Sequence, residues 1–163
     1  VAVQKVFATR SGRERLLAPC LDGVAQWFNF IFLDCPPSLN FLSLNALTAA
    51  THVLIPIQTH YFSLDGMREL FKTIELVQAR LNPQLQLLGI LPTLYDSRTR
   101  MNRAMLESLR EYFKEKVFKT TIHLSSALTE CPMAGQPVTR YAPQSRGAQD
   151  YRRLAEELLR TYG

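Results

Sequence analysis

The chain has 163 residues, of which 47% are hydrophobic and 20% charged, which is typical of a soluble globular protein and fits a single domain over residues 1–163. Neither a run of about 18 apolar residues nor a compact apolar segment behind the early basic residues occurs, so no membrane span or signal peptide is predicted. The three cysteines lack C-x-x-C spacing, which indicates a reduced, cytoplasmic protein without a disulfide framework. The cysteines and the three histidines show no metal-ligand spacing, so no transition-metal site is predicted.

The first predicted elements are a helix, a short apolar strand and a second helix. The first helix covers about residues 13–27, with a kink at Pro19. Residues 30–33 are wholly apolar, which predicts a central strand of a parallel sheet that is buried on both faces. A short helix over residues 42–50 and a second buried strand over residues 52–57 follow.

The rest of the chain continues this alternation. Apolar side chains recur at helical spacing over residues 64–81, and Asn82-Pro83 is a stop signal, so a long amphipathic helix is predicted there. The remaining elements are a strand over residues 85–93, a helix over 99–116, a short strand over 116–122 and a terminal helix over 145–161 with Ser145 as its N-cap. We therefore predict an α/β fold with a doubly wound, mostly parallel sheet flanked by helices.

Asp34 directly follows the predicted strand over residues 30–33. Ligands of open α/β sheets bind at the carboxyl ends of strands, and a carboxylate there can hold Mg²⁺, usually through its water shell, while the metal bridges phosphates. Pro36 and Pro37 fix the backbone φ angle and, with Cys35 before them, direct the chain out of the strand as an extended loop. Such a loop could act as a switch that senses a γ-phosphate. The alternative is an ordinary buried strand that ends in Asp-x-Pro-Pro.

Positive charge is concentrated in the C-terminal half of the chain. From residue 96 onward there are twelve basic and eight acidic residues, whereas residues 1–95 contain seven and six. Arg98, Arg100 and Arg103 cluster at the start of a predicted helix, which suits non-specific contact with the phosphates of duplex DNA. The alternative is a solvated helix face, because acidic and basic residues of that helix are spaced for surface ion pairs.

A series of sequence blocks resembles one protein family. In order, the blocks are D-C-P-P-S-L, L-N-A-L-T-A-A, V-L-I-P-I-Q-T-H-Y-F-S-L-D-G, T-L-Y-D-S-R-T, K-V-F-K-T-T-I, L-T-E-C-P-M-A-G-Q-P-V and S-R-G-A-Q-D-Y-R-R-L-A-E-E-L. Their order and intervals resemble the second half of the ParA/Soj partition ATPases, which belong to the ParA/MinD branch of the P-loop NTPases. The resemblance covers about residues 28–159.

This resemblance implies a cycle of ATP-dependent homodimerisation, non-specific DNA binding by the dimer, and release when a ParB-like partner stimulates hydrolysis. It implies a protein of the bacterial cytoplasm that associates with the nucleoid. It also assigns Asp34, as the Walker B carboxylate, to the Mg²⁺ shell and the switch, and Arg98 to a DNA contact. Thr93 and Asp96 would lie on the base side of the nucleotide, although Asp96 equally fits a turn-forming residue after a strand.

The deviant Walker A loop of this branch, K-G-G-x-G-K-[ST], is not in the sequence, because the seven glycines are scattered singly. Without successive backbone N–H groups and a P-loop lysine, the chain is expected to bind no ATP or Mg²⁺ tightly by itself, although the intact protein would use both. We therefore expect a sheet that is incomplete at its N-terminal side, and a chain that is inactive alone.

One block departs from the family pattern I-P-R-N-V-R-L-S-E-A-P, because the chain has I-H-L-S-S-A-L-T-E-C-P. His123 and Leu124 replace Pro-Arg, and Ala127 replaces the second arginine, so one DNA contact of the family is in doubt. His123 is predicted to be a loop or core residue rather than a ligand. Either the partner surface has shifted, or other basic residues carry the affinity for phosphate. These are Arg100, Arg103 and Lys116.

Two alternative functions stay open. The first is a non-catalytic ParA-like protein that binds DNA or a partner without hydrolysing ATP. The second is a MinD-like positioning ATPase that cycles on membranes. The terminal helix disfavours the second, because a membrane-targeting helix should be basic and strongly amphipathic, whereas this one mixes both signs of charge. The charged residues concerned are Arg152, Arg153, Glu156, Glu157 and Arg160.

Overall fold

The computed structural model describes residues 12–36, 40–59 and 64–162, in which two strands lie among helices. In chain order the elements are α1 (Ala18–Ala25), α2 (Phe41–Ala49), β1 (His52–Gln58), α3 (Leu64–Arg80), β2 (Gln86–Thr93), α4 (Arg100–Phe113), α5 (Ser126–Glu130), α6 (Val138–Tyr141) and α7 (Arg146–Tyr162). Two short 3₁₀ turns cover Arg13–Arg15 and Lys114–Lys116. β1 and β2 are neighbouring parallel strands joined through α3, which confirms the predicted α/β class.

The chain forms two compact units, one of Val1–Val53 and Asp65–Leu87 and the other of Leu54–Leu64 and Leu88–Gly163. Asparagine side chains organise the first unit. Asn40 begins α2, because its side chain accepts hydrogen bonds from two backbone N–H groups of the first turn. The buried Asn45 donates to the carbonyl of Arg13 at 2.8 Å, and Asn82 donates to the carbonyls of Leu47 and Ala50 at 3.0 and 2.7 Å. Each amide thus satisfies backbone groups that no regular element pairs.

The second unit is built on β2, whose residues 89–92 are buried. Val117 and His123 form isolated parallel bridges with Ile90 and Tyr95, so this segment runs beside β2. Two apolar clusters fill the unit. One consists of Leu91, Phe118, Ile122 and Leu154, and the other of Ala127, Cys131, Val138 and Ala148. None of the described helices is both long and apolar enough to cross a membrane.

The predicted buried strand over residues 30–33 is wrong. This segment has no regular secondary structure, and Phe30, Ile31 and Phe32 are 40%, 41% and 75% exposed. A strand is defined by hydrogen bonds to a neighbouring strand, and none of the described strands pairs with this segment. Instead of being buried on both faces, the first three residues are exposed and Leu33 is half-buried.

Two other predicted elements also differ in the structure. Pro19 does not kink a long helix, since α1 begins at Ala18 and the proline lies in its first turn, where a missing N–H breaks no helical bond. The strand over residues 116–122 is reduced to the two isolated bridges. The N–H groups of Lys119 and Thr120 donate instead to the carboxylate of Glu157, at 2.8 and 2.9 Å. Backbone N–H groups that donate to a side chain cannot also donate to a neighbouring strand.

Gly89 provides a test of the packing against β2. A Cβ atom at this position would lie 2.7 Å from Cε2 of Phe118 and 3.0 Å from the carbonyl oxygen of Lys116. We expect Gly89→Ala to lower the free energy of unfolding by about 1–3 kcal/mol, as overpacking does. Gly23→Ala is the matched control, because its Cβ meets nothing within 4 Å and alanine favours the helix. Equal urea midpoints for Gly89→Ala and the unmodified protein would contradict this packing.

Candidate functional site

Asp34 and Cys35 lie exposed in a segment without regular secondary structure, not at the end of a strand. The pKa of the Cys35 thiol is raised, first by partial burial and second by the negative charge of Asp34. After them, the carbonyl of Pro36 accepts a hydrogen bond from the hydroxyl of Ser43 at 3.5 Å. Pro37, the last residue of the predicted switch, lies outside the described residues. The role of this segment as a switch therefore stays a prediction.

The donor set around Asp34 fits a magnesium ion only in part. Within the described ranges, no group of three or more His, Cys, Asp or Glu side chains could hold a metal ion. Mg²⁺ is commonly held by one or two carboxylates, with water and substrate phosphates completing its shell. Asp34 supplies one exposed carboxylate, and the sequence supplies no glycine-rich cradle for the phosphates. No step of ATP hydrolysis is therefore assigned to these residues alone.

The end of β2 leads into the loop of residues 95–99. We call it the basic loop because it carries Arg98 and leads directly to Arg100 and Arg103. Thr93 is partly buried, and its carbonyl accepts the backbone N–H of Thr59 at 3.1 Å. Leu94 has a positive φ angle of 51°, which turns the chain out of the strand. Tyr95 is then held beside the 117–123 segment, because its backbone N–H donates to the carbonyl of Ile122 at 3.1 Å. The basic loop is thereby fixed to the sheet at its first residue.

Asp96 and Arg98 form a two-pronged ion pair within this loop. Nε of Arg98 donates to Oδ1 of Asp96 at 2.9 Å and Nη2 donates to Oδ2 at 2.8 Å, while the backbone N–H of Arg98 also donates to Oδ1 at 3.0 Å. These hydrogen bonds, first of all those of the Arg98 side chain, lower the pKa of Asp96 to about 2. The Arg98 side chain is 84% exposed, but a neighbouring carboxylate compensates its charge.

The other two arginines of the predicted cluster lie in the first turn of α4. Thr99 begins this helix, since its hydroxyl accepts the N–H of Asn102 at 3.4 Å. Arg100 is exposed, and Nη1 of Arg103 donates to the carbonyl of Ser97 at 3.0 Å. Arg98, Arg100 and Arg103 are therefore neighbours in the structure, as predicted. Lys116 follows the opposite end of α4, roughly 20 Å away along a helix of this length, and does not join them.

The residues that depart from the family pattern occupy three different environments. Leu124 is exposed, whereas Ala127 is 7% exposed and packs in an apolar cluster. Position 127 therefore contributes to the core, not to the basic surface. His123 is half-buried, and its Nδ1 lies 2.8 Å from Oδ2 of Asp150. Sequence reasoning did not single out Asp150, a buried carboxylate on α7, because the pair is separated by 27 residues and follows no motif.

The pair between Asp96 and Arg98 should survive strong acidification. The pKa of Asp96 is lowered from 3.8 to about 2, so the pair's contribution to stability is complete above pH 3.8 and is lost as the pH falls through 2. An NMR titration of the Asp96 carboxyl carbon should show a midpoint near 2, and Arg98→Ala should return the midpoint towards 3.8. A midpoint near 3.8 in the unmodified protein would contradict the ion pair.

The sequence has clear relatives among known proteins. Residues 1–87 match the AAA_31 family, described as AAA domain. The sporulation initiation inhibitor protein Soj of Bacillus subtilis is 43% identical over 146 residues, which are 90% of this chain and 58% of that protein. The chromosome-partitioning ATPase Soj of Thermus thermophilus is 48% identical over 134 residues, or 82% and 54% of the two chains. The chain thus spans somewhat more than half the length of these relatives.

Solved structures show the same fold. Cobyrinic acid a,c-diamide synthase from Mycobacterium smegmatis, with bound ATP analog and magnesium, superposes with a TM-score of 0.81 at 36% identity, over 98% of this chain and 59% of that one. The cell division ATPase MinD of Pyrococcus furiosus gives a TM-score of 0.70 at 24% identity, over 91% and 59%, which is a likeness of fold alone. The match of residues 1–87 and the identity to both Soj proteins establish that the chain belongs to the AAA_31 family and, within it, to the Soj/ParA group.

Proposed function

We propose that the full-length protein containing this chain is a partition ATPase that segregates a chromosome or plasmid. It would dimerise on binding ATP, bind duplex DNA without sequence preference as a dimer, and leave DNA when a ParB-like partner stimulates hydrolysis. Such a protein would be cytoplasmic and associated with the nucleoid. Membership of the Soj/ParA family supports the cycle, and the exposed arginines of the basic loop and α4 support the DNA contact.

The observation that carries the DNA contact is the placement of Arg98, Arg100 and Arg103 on one exposed loop and helix turn. Guanidinium groups on a short loop can reach phosphate oxygens without entering a groove, which gives affinity without base recognition. Arg98 retains N–H donors for a phosphate beyond those that bind Asp96. The net attraction at this loop then depends mainly on Arg100 and Arg103, because Asp96 compensates the charge of Arg98.

On the nucleotide side, Asp34 would serve the water shell of Mg²⁺, and Cys35, Pro36 and Pro37 would form the switch. The relative crystallised with an ATP analog and magnesium supports nucleotide binding within this fold. Thr93 is proposed on the base side of the nucleotide. Asp96 fits that role less well, because both of its carboxylate oxygens already bind Arg98, and this favours its alternative role as a turn residue.

A second candidate function is a non-catalytic protein that binds DNA or a ParA-like partner. The feature that favours it is the missing glycine-rich phosphate loop in this sequence. The two functions differ in whether a Walker A segment is encoded directly upstream, so sequencing that region separates them. They share the DNA surface, and the DNA experiment below applies to both.

The 163-residue chain by itself should not bind ATP measurably. Phosphate recognition in P-loop proteins needs a backbone cradle and a lysine that this sequence lacks. Calorimetric titration with ATP and Mg²⁺ should show no saturable heat, whereas the full-length protein should bind and hydrolyse ATP. In that protein, Asp34→Ala should abolish turnover and leave the melting temperature unchanged. Micromolar affinity for ATP in the 163-residue chain would contradict the expected lack of binding. Unchanged turnover in Asp34→Ala would contradict the role of Asp34.

Two opposite substitutions test the basic loop in the ATP-bound full-length protein. Arg98→Ala should weaken binding to all duplex sequences and flatten the dependence of log K on log salt by about 0.9 if one phosphate contact is lost. Asp96→Asn should strengthen binding to all sequences, because it removes the anion that compensates Arg98. Fluorescence anisotropy over a salt series measures both.

The controls for this experiment remove a charge of the same sign outside the loop and the first turn of α4. Arg80→Ala, at the end of α3, should leave the salt dependence unchanged, and Glu111→Gln, near the far end of α4, should not strengthen binding. Affinity and salt slope that both survive Arg98→Ala would remove Arg98 from the DNA contact. An equal gain from Glu111→Gln and Asp96→Asn would show that net charge, not the loop, controls binding.

A further inference from the structure

His123 is bonded on both sides of its ring, to Asp150 and to Arg146. Its Nδ1 lies 2.8 Å from Oδ2 of Asp150, and its Nε2 lies 2.8 Å from Nη2 of Arg146. A guanidinium group can only donate hydrogen bonds, so Nε2 must accept the bond from Arg146. The ring proton is therefore on Nδ1, which donates to the carboxylate of Asp150. The imidazole links a buried anion to an exposed cation in one fixed tautomer.

Contacts on several sides hold the imidazole in place. The Asp150 side chain is only 2% exposed, and its Oδ2 also accepts the backbone N–H of His123 at 3.0 Å. Its Oδ1 lies 3.6 Å from Nη1 of Arg153. The ring of Tyr95 packs edge-on against the imidazole with a centroid distance of 5.2 Å, and the carbonyl of Tyr95 accepts the N–H of Leu124 at 3.0 Å. Backbone, carboxylate and aromatic ring together fix the position of Nε2.

Arg146 is the first residue of α7 and is exposed. The helix start is well defined, because the hydroxyl of Ser145 accepts the N–H of Ala148 at 3.2 Å. Among the described residues, Arg146 forms no ion pair, and its partner His123 is neutral in the tautomer derived above. Arg146 is thus oriented without losing its charge, whereas Arg98 is oriented by a carboxylate that compensates it.

The residue that binds Arg146, His123, contacts the first residue of the basic loop. Tyr95, which packs on His123 and forms a parallel bridge with it, directly precedes Asp96. The imidazole that binds Arg146 therefore lies beside the backbone segment that leads into the loop of Arg98, while Arg146 itself begins α7. We propose that His123, oriented by Asp150, is a positioning residue that holds Arg146 ready to bind a phosphate of duplex DNA. This proposal rests on the proposed function, since it adds a contact to the same DNA-binding activity.

Two amide substitutions at position 123 separate the two bonds of the imidazole. Asparagine can replace Nδ1 as the donor to Asp150 but is too short to reach Arg146, whereas glutamine extends as far as Nε2 and can accept from Arg146. Anisotropy with the ATP-bound full-length protein and a duplex of arbitrary sequence measures DNA affinity for each variant, alone and combined with Arg146→Ala. Thermal melting of each variant reports its stability, and Arg160→Ala on the same helix is the charge-matched control.

Arg146→Ala should weaken DNA binding by about tenfold and flatten the salt slope by about 0.9. His123→Asn should weaken binding by about fivefold, because an arginine that is no longer oriented pays more entropy on binding. His123→Gln should retain most of the affinity. In the Arg146→Ala background, glutamine and asparagine at position 123 should bind DNA equally, because the residue through which His123 acts is absent.

Four outcomes would overturn the proposal. If Arg146→Ala has no larger effect than Arg160→Ala, Arg146 does not contact a phosphate. If His123→Asn has the same effect with and without Arg146, His123 has only a structural role. The same conclusion follows if glutamine and asparagine at position 123 bind DNA equally when Arg146 is present. In these three cases the proposed function stands, because the unmodified protein still binds DNA. If the unmodified protein does not bind DNA at all, both the positioning role and the proposed DNA-binding function are wrong.

Discussion

The second compact unit depends on the pairing of β2 along both of its edges. β1 lies on one edge; on the other, Val117 bridges to Ile90 of β2 and His123 bridges to Tyr95 just beyond its end. Since Ile90 is fully buried and Leu91 nearly so, neither edge can shift without exposing the core. This constraint sets where the strand ends, and with it the positions of the basic loop and of His123. Every candidate phosphate contact in this unit follows from that one register.

Two carboxylates of α7 accept backbone N–H groups of the 117–123 segment that do not pair with β2. Glu157 accepts the N–H groups of Lys119 and Thr120, and Asp150 accepts the N–H of His123. Burial alone would raise the pKa of Glu157, but these hydrogen bonds and the charge of Lys119 outweigh it and lower the pKa. Through these hydrogen bonds the two carboxylates attach α7 to a segment that would otherwise be a regular strand. Because side-chain oxygens of α7 accept these N–H groups in place of backbone carbonyls, the 117–123 segment forms two isolated bridges and no continuous strand.

Local patterns in the sequence predicted most elements but not the contacts between them. The helical spacing over residues 64–81 and the serine before residue 146 gave α3 and the start of α7, because both signals are contained within a few residues. The apolar run over residues 30–33 was misread, since a strand exists only with a partner that the run itself does not contain. The clustering of Arg98, Arg100 and Arg103 was predicted, but the bonds of His123 to Asp150 and Arg146 were not, because they join residues 27 and 23 positions apart.

Arg98 and Arg146 illustrate two ways of orienting a cation, and they differ in consequence. A carboxylate holds Arg98 by two bonds, but it also repels any phosphate that approaches the same guanidinium. A neutral imidazole holds Arg146 by one bond and offers no such repulsion, while the anion that orients the imidazole is buried one side chain further from solvent. The distance between anion and guanidinium therefore decides how much attraction for phosphate is left. By this criterion Arg146, whose partner His123 lies in the block that lacks the family's arginines, is better arranged than Arg98 to attract a phosphate.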